Sequence, residues 1–386
     1  MNVSTAVIIG AGVAGLTAAL SLARKGVSST VLEQAPQLGE VGAGLQLSPN
    51  ATRILALLDV LPDIERQWLE PKSVTLASGQ SLRELTAIPV KEIARSRWGA
   101  PYGVLHRSTL QQALLKAVLH EPLCHLKLGT RVDGISREEI GDLAGVKPDL
   151  VIGADGVWSS CRDFVPDAPH VSFSGNIAWR FTIPAASAPT FLAHDRVMAF
   201  LGAKSHLVCY PLREIDGFNL VAISSGTGAA ESWAIDADAA RRAMLLERFH
   251  GWHQQIRHIL AGAEHPTFWP LYEATDGAWH NGIDTVLIGD AAHAMMPFSA
   301  QGAAMAIEDA FSLAESLSHA TLPSALAAFE SDRKSRARRV KKRGQLNKFA
   351  YHARGPIRLG RDLVLSLKSP QSLAQDLDWL YGFRIK

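Results

Sequence analysis

A short apolar run, Thr5-Ala6-Val7-Ile8-Ile9, ends in Gly10-x-Gly12-x-x-Gly15. Apolar positions at Leu16, Ala19, Leu20 and Ala23 then recur at helical spacing up to Gly26. This pattern predicts a strand, a tight glycine turn and a helix. A second apolar run, Thr30-Val31-Leu32, stops at Glu33, and a glycine-bearing loop from Gly39 to Gly44 follows. Ser48 suits a helix cap and Pro49 a first helical residue, which predicts a helix from about residue 49 to 58. Residues 71–97 read as irregular or hairpin-like. Ser108 and Gln111 have capping-box spacing, and Leu110, Leu114, Leu115 and Val118 form the apolar stripe of another helix. Arg107 then stands just before that helix. Val151-Ile152-Gly153, ended by Ala154-Asp155-Gly156, reads as a buried parallel strand and a turn.

Between residues 170 and 225 the pattern changes. Short β-type runs at Ile177 to Phe181, Val197 to Leu201, Leu207 to Tyr210 and Leu220 to Ile223 are separated by Pro, Gly and charged turns. They predict a largely antiparallel sheet. Residues 239–262 read as helical. Thr285 to Ile288 is the last buried strand, ended by Gly289-Asp290-Ala291-Ala292-His293, and an amphipathic helix follows from about Ala303 to Leu317. The strands near residues 5, 30, 150 and 286 span most of the chain, so the β-rich region is inserted into the unit that these strands form. The fold expected is α/β, a Rossmann-type domain with an inserted antiparallel substrate sheet and a C-terminal helical segment. Residues 1–72, 98–168 and 273–345 form the first part, 73–97 and 169–272 the second, and 346–386 the third.

Composition narrows the class. A chain of 386 residues has ample length for two domains. Apolar content of 47%, charged content of 20% and a net charge of +2 fit a globular protein and give no argument for nucleic acid. From Arg333 to Arg343 eight of eleven residues are Lys or Arg, which without interleaved aromatics reads as a solvated helix face. Cys124, Cys161 and Cys209 are widely spaced and lack a CxxC pair, so neither a disulfide framework nor a metal site is suggested. The apolar N-terminus lacks a basic n-region and carries the glycine turn, so it reads as a strand and not a signal peptide. No apolar run reaches the roughly 18 residues of a membrane span, and a cytoplasmic protein is expected.

The glycines have separate physical tasks. Gly10 makes the turn, Gly12 admits a pyrophosphate to the backbone, and Gly15 lets the helix pack close to the strand. The helix N-terminus offers unpaired N–H groups to an anion. Glu33 is placed to accept a hydrogen bond from a ribose hydroxyl. A dinucleotide is expected, its identity left open by this motif alone.

Three motifs stand in order: Gly10-x-Gly12-x-x-Gly15, Asp155-Gly156 with Ser159 and Arg162, and Gly289-Asp290-Ala291-Ala292-His293-x-x-x-Pro297-x-x-x-Gln301-Gly302. In this order the chain resembles the single-component FAD-dependent aromatic hydroxylases, the p-hydroxybenzoate hydroxylase family. His206-x-Val208-x-Tyr210-Pro211-x-Arg213 and Asp378-Trp379-Leu380-Tyr381 are similar to its salicylate and 3-hydroxybenzoate branch. Trp158 is unusual at its place, and the segment from Arg131 to Asp149 is shorter than the family's β-hairpin there. The resemblance implies bound FAD held by Gly10, Gly12, Ala14, Gly15, Glu33, Gln34, Leu45, Arg107, Val132, Asp155, Asp290, Gly302 and Ala303. It also implies a loop from Pro297 to Gln301 walling the flavin ring. NADH or NADPH would bind transiently, since no second nucleotide unit is visible.

The reaction so implied runs through a C4a-hydroperoxyflavin that hydroxylates a small hydroxylated aromatic or heteroaromatic ring, with O2 as co-substrate. A phenol is a better ring nucleophile once deprotonated, which calls for a base or relay. His206 and Tyr210 are i and i+4 on one strand face, roughly 13 Å apart, and suit that role. Pro297 and Gln301 complete the catalytic candidates; Gln46, Arg180 and Arg213 are substrate candidates. Each also has a plain structural reading, as a satisfied core residue or a turn or ion-pair residue, and His293 reads as packing at the strand end. Oxidation or epoxidation of a non-phenolic substrate on the same scaffold, or a non-catalytic flavin-binding module, remain alternatives. A homodimer is expected from the family.

Overall fold

The computed structural model describes residues 3–39, 44–133, 136–226, 235–236, 238–318 and 321–385. Residues 40–43, within the predicted glycine-bearing loop, lie outside them. The strands of the first half are β1 (Thr5–Ile9), β2 (Ser28–Leu32), β3 (Gly44–Leu47), β4 (Val74–Ser78), β5 (Glu84–Ile88), β6 (Gly103–His106), β7 (Cys124–Lys127) and β8 (Leu150–Gly153). Those of the second half are β9 (Val171–Pro184), β10 (Val197–Gly202), β11 (Ser205–Leu212), β12 (Gly217–Ser225), β13 (Ile235–Asp236), β14 (Thr267–Ala274) and β15 (Thr285–Leu287).

A parallel sheet of order β15-β8-β1-β2-β7 forms the Rossmann-like core. Four of its strands are the continuous apolar runs of the sequence, buried on both faces as parallel strands are. The fifth, β7, is an edge strand whose His125 and Lys127 are exposed, so it carries no apolar run to read. The Val13–Ala23 helix is buried from Val13 to Leu22, because small residues let it lie between the sheet and the Gly302–Leu317 helix.

One local expectation needs correction. The helix predicted after His106 spans Arg107–His120, and its cap is His106, whose Nδ1 accepts from Ser108 N at 3.3 Å. The Ser108–Gln111 capping box does not form. Gln111 instead donates through Nε2 to Ala11 O at 3.3 Å and ties the helix to the glycine turn. Between Arg131 and Asp149 stands the helix Arg137–Ala144, closed by a Ser136–Glu139 capping box.

The second sheet has the order β13-β14-β9-β12-β11-β10-β4-β5 and is antiparallel except where β10 meets β4. The hairpin of residues 74–88 therefore extends the inserted sheet. Along β11 the two-residue period sends Leu207 and Cys209 into an apolar core with Trp179, Phe200, Phe218 and Leu220. His206, Val208 and Tyr210 take the other face. The helical region predicted at 239–262 is two helices, Ala239–Arg248 and Gln254–Ala261. Trp252 lies between them, its ring stacked so close to Gly79 and Gly202 that a Cβ at either would lie 2.4 Å and 2.5 Å from it.

The basic run is also corrected. It lies within the 30-residue helix Leu322–Tyr351, and two of its arginines are buried, Arg333 at 1% and Arg336 at 6% exposure. Arg333 Nη1 and Nε reach Glu308 Oε2 and Asp309 Oδ1, both at 2.8 Å, and Arg336 Nη2 reaches Glu308 Oε1 at 2.8 Å. Asn50 Nδ2 donates to Glu308 Oε1 at 2.6 Å, and Gly289 N to Asp309 Oδ2 at 3.0 Å. His293 Nε2 completes the cluster, 2.5 Å from Asp309 Oδ2, which is the buried structural role read for it. Two helices, the Asn50 helix and the Gly289 turn are thus fastened together beneath the cavity. No helix among the described residues is long and apolar enough to cross a membrane.

Candidate active site

One cavity of about 690 Å³ takes in both the glycine turn and the free face of β11. Of the residues expected to hold a dinucleotide, Gly10, Gly12, Ala14, Glu33, Gln34, Leu45, Arg107, Val132, Asp155, Asp290, Gly302 and Ala303 all line it. Gly15 does not. A Cβ there would lie 1.9 Å from Gly10 O, so this glycine sets the spacing of helix and strand. Gly10 has φ +101°, and a Cβ on it would meet Ala154 O at 2.6 Å. A Cβ at Gly12 would meet no protein atom within 4 Å, so the space above it belongs to the cavity.

The donors and acceptors fit an adenine dinucleotide. Glu33 accepts from Ala11 N at 2.8 Å and from Ala35 N at 2.9 Å, which fixes its carboxylate beside the turn with lone pairs to spare for a ribose. Asp155 Oδ2 accepts from Cys161 N at 3.2 Å, while its Oδ1 is buried without a hydrogen-bond partner. Such an orphaned acceptor calls for a donor from a bound group. Arg162 donates to Ala291 O at 2.9 Å and Asp290 O at 3.0 Å, so the second motif holds the third in place. The Gly302–Leu317 helix opens on the cavity with its first amides unpaired inside the helix, and these carry partial positive charge.

The remaining candidates divide. His206, Tyr210, Pro297, Gln46 and Arg180 line the cavity. Gln301 does not, and its candidacy as a pocket donor is corrected. Its Nε2 donates to Ser48 Oγ at 2.9 Å and its Oε1 accepts from Asn50 Nδ2 at 3.1 Å, so both ends are used beneath the floor. Arg213 is exposed at the start of a short 3₁₀ turn and is likewise removed. Its neighbour Glu214 does the joining there, accepting from His106 N at 2.8 Å and Thr109 Oγ1 at 3.0 Å.

Tyr210 packs its ring on Gly44, where a Cβ would lie 2.6 Å from Cε2. Burial pushes its phenol up, with Arg180 pulling the other way. Arg180 stands over the Trp269 ring at 4.9 Å, and its Nε is buried without a hydrogen-bond partner. Burial lowers its pKa, the nearby Tyr210 raises it and Arg107 lowers it. His206 is buried and its Nδ1 lies 2.9 Å from His352 Nε2, with the Phe298 and Tyr351 rings at 5.1 Å and 5.4 Å. Burial, and then His352, hold its imidazole well below the usual histidine range. Phe298 could have been read from its place beside Pro297. His352 had no local signal, since only the return of the long helix brings it to β11.

The family model described as FAD binding domain matches residues 3–344. A 3-hydroxybenzoate 6-hydroxylase of Aquipseudomonas alcaligenes is 33% identical over 393 residues, covering 97% of this chain and 96% of the relative. The chain belongs to this family. It is an FAD-dependent flavoprotein monooxygenase of the aromatic hydroxylase type, as the resemblance implied. A 3-amino-4-hydroxybenzoate 2-monooxygenase of Streptomyces platensis is also 33% identical, covering 97% of this chain and 95% of that one. The solved structure of a salicylate hydroxylase with substrate shares the fold, with TM-score 0.79 at 22% identity over 100% of this chain and 96% of that one. Within this family FAD is the group for which the orphaned Asp155 acceptor and the open Gly12 cradle fit. Substituting Gly15→Ala is expected to yield protein without bound FAD, read as loss of flavin absorbance on purification, because the new Cβ must displace the Gly10 carbonyl.

Proposed function

We propose that this flavoenzyme hydroxylates a small phenolic ring that carries a carboxylate, using O2 and NADH or NADPH. The observation that carries the reading is Arg180, a half-buried guanidinium in the cavity with no ion pair among the described residues, on the same cavity as Tyr210 and His206. A carboxylate is the planar anion that matches a guanidinium fork. FAD, when bound, supplies the oxygen-transfer chemistry, and Gly10, Gly12, Ala14, Glu33, Gln34, Leu45, Arg107, Val132, Asp155, Asp290, Gly302 and Ala303 would hold it. Arg180 and Tyr210 orient the carboxylate, His206 takes the phenolic proton, and Gln46, whose Oε1 accepts from Tyr102 OH at 2.5 Å, flanks the ring. Pro297 and the inserted sheet keep water from the ring.

In this reading residues 1–72, 98–168 and 273–345 hold the cofactor, while 73–97 and 169–272 form the substrate part. A cytoplasmic homodimer completes the reading. Ile357, Leu359, Leu363, Val364 and Leu367 on the Gly355–Leu367 helix are all more than half exposed. A second copy would cover that stripe, as apolar patches of such extent generally meet a partner. Hydroxybenzoates and hydroxynicotinates are expected to stimulate NAD(P)H oxidation and to give a hydroxylated product by mass spectrometry. Absence of both across the panel would overturn the reading.

A further inference from the structure

We infer that His352 passes the substrate's proton from His206 to the outside, so that the two imidazoles form a relay between the cavity and the end of the Leu322–Tyr351 helix. The inference rests on the hydroxylase reading. His206 lines the cavity and is buried, whereas His352 is half-buried just beyond the helix C-terminus. Their ring nitrogens lie 2.9 Å apart, and the ring centroids 5.1 Å. Phe298 is packed against both rings, at 5.1 Å and 5.3 Å, which fixes the pair edge to edge.

The groups at the pair are Lys348 and Tyr351 of the same helix, with the Lys204 backbone N–H donating to His352 O at 3.2 Å. No carboxylate is hydrogen-bonded to either ring among the described residues. Burial, then Lys348, lowers His352 to about 4. Both rings are therefore neutral near pH 7, and a full imidazolium on His206 is disfavoured. One N–H then lies between them, donated by one ring and accepted by the other. With the proton on His206 Nδ1, its Nε2 is a free acceptor for the substrate hydroxyl. The substrate O–H bond breaks as His206 Nε2–H forms. His206 Nδ1–H passes to His352 Nε2, and the Nδ1 proton of His352 leaves to water. No electrons change hands, and the pair ends as two neutral rings with His206 Nε2–H now donating to the phenolate. His352 acts through His206 and does not touch substrate.

The test mixes the FAD-loaded protein with 4-hydroxy-3-nitrobenzoate in a stopped-flow instrument, without NAD(P)H, and follows phenolate absorbance. His352→Gln keeps a hydrogen bond to His206 but cannot shuttle a proton, and His352→Phe keeps only the ring. Both are expected to retain FAD, to bind the ligand with unchanged Kd, and to form phenolate at least tenfold more slowly than the parent at about pH 5.5, where the free nitrophenol is still largely protonated and His352, at about 4, is neutral. Slowing in His352→Gln alone, should His352→Phe not fold, supports the relay equally. Phenolate formation at the parent rate in His352→Gln overturns it, as does loss of FAD from both variants. If the variants form phenolate at the parent rate while hydroxylated product is still made, the relay fails and the hydroxylase reading stands.

Discussion

Replacing Arg333 with methionine is expected to destabilise the folded enzyme by about 3–5 kcal/mol, the cost of removing one partner from a buried ion cluster. Arg333 is 1% exposed and bonds two carboxylates, Glu308 and Asp309, that are themselves fully buried. Without it Asp309 keeps only His293 and the Gly289 amide, and Glu308 keeps Arg336 and Asn50. Arg338→Met is the control from the same basic run. Its contact with Asp276, at 3.4 Å, is exposed on both sides, and such pairs contribute roughly 0–1 kcal/mol. Urea unfolding followed by tryptophan fluorescence separates the two, and equal midpoints would refute the distinction.

The same cluster sets an acid limit. Burial alone pushes the Asp309 carboxyl up, but His293 and Arg333 together outweigh it and hold it at about 2. Its folded pKa is thus below its unfolded one, near 3.9. The stabilisation is fully present above about pH 4 and is lost as the pH falls toward 2. In Arg333→Met one counter-charge is gone, so acid unfolding is expected to begin at higher pH than in the parent.

The glycine turn, Asp155 and Asp290 were legible because each rests on a local rule: a backbone angle, a close approach, a strand end at the carboxyl edge of a parallel sheet. The face of β11 was legible for the same reason, since a period of two puts His206 and Tyr210 together wherever the strand lies. What escaped were pairings set by distant elements. Gln301 looks like a pocket donor beside Pro297, yet Ser48 and Asn50, some 250 positions away, use both ends of its amide. Arg333 and Arg336 sit in a run that reads as solvated, because nothing local reports that Glu308 and Asp309 lie under the same helix. His352 reached the site only through the return of a 30-residue helix. A sequence shows which side chains share a face, and it is silent on which faces meet.

Arg180→Met is expected to weaken binding of a carboxylated phenol by about 3 kcal/mol, or roughly 10²-fold in Kd, by removing the charged partner of a desolvated carboxylate. Binding of the same phenol without its carboxylate is expected to change little. The asymmetry follows from where the cation stands. Burial already lowers the Arg180 pKa, its Nε has no hydrogen-bond partner, and the neighbouring Arg107 repels it. The folded protein holds this charge at a cost when no anion is bound. Methionine fills similar volume without that cost, so the variant free of substrate is expected to be at least as stable as the parent. Arg180→Lys keeps the charge but not the planar fork, and recovers only part of the affinity. Quenching of flavin fluorescence gives both dissociation constants. A loss of affinity equal for the two ligands would mean that Arg180 shapes the cavity through Trp269 and does not read the carboxylate. A drop in stability on removing the charge would mean that a buried partner outweighs the desolvation. Improved stability together with lost discrimination is the signature of a residue kept for its ligand.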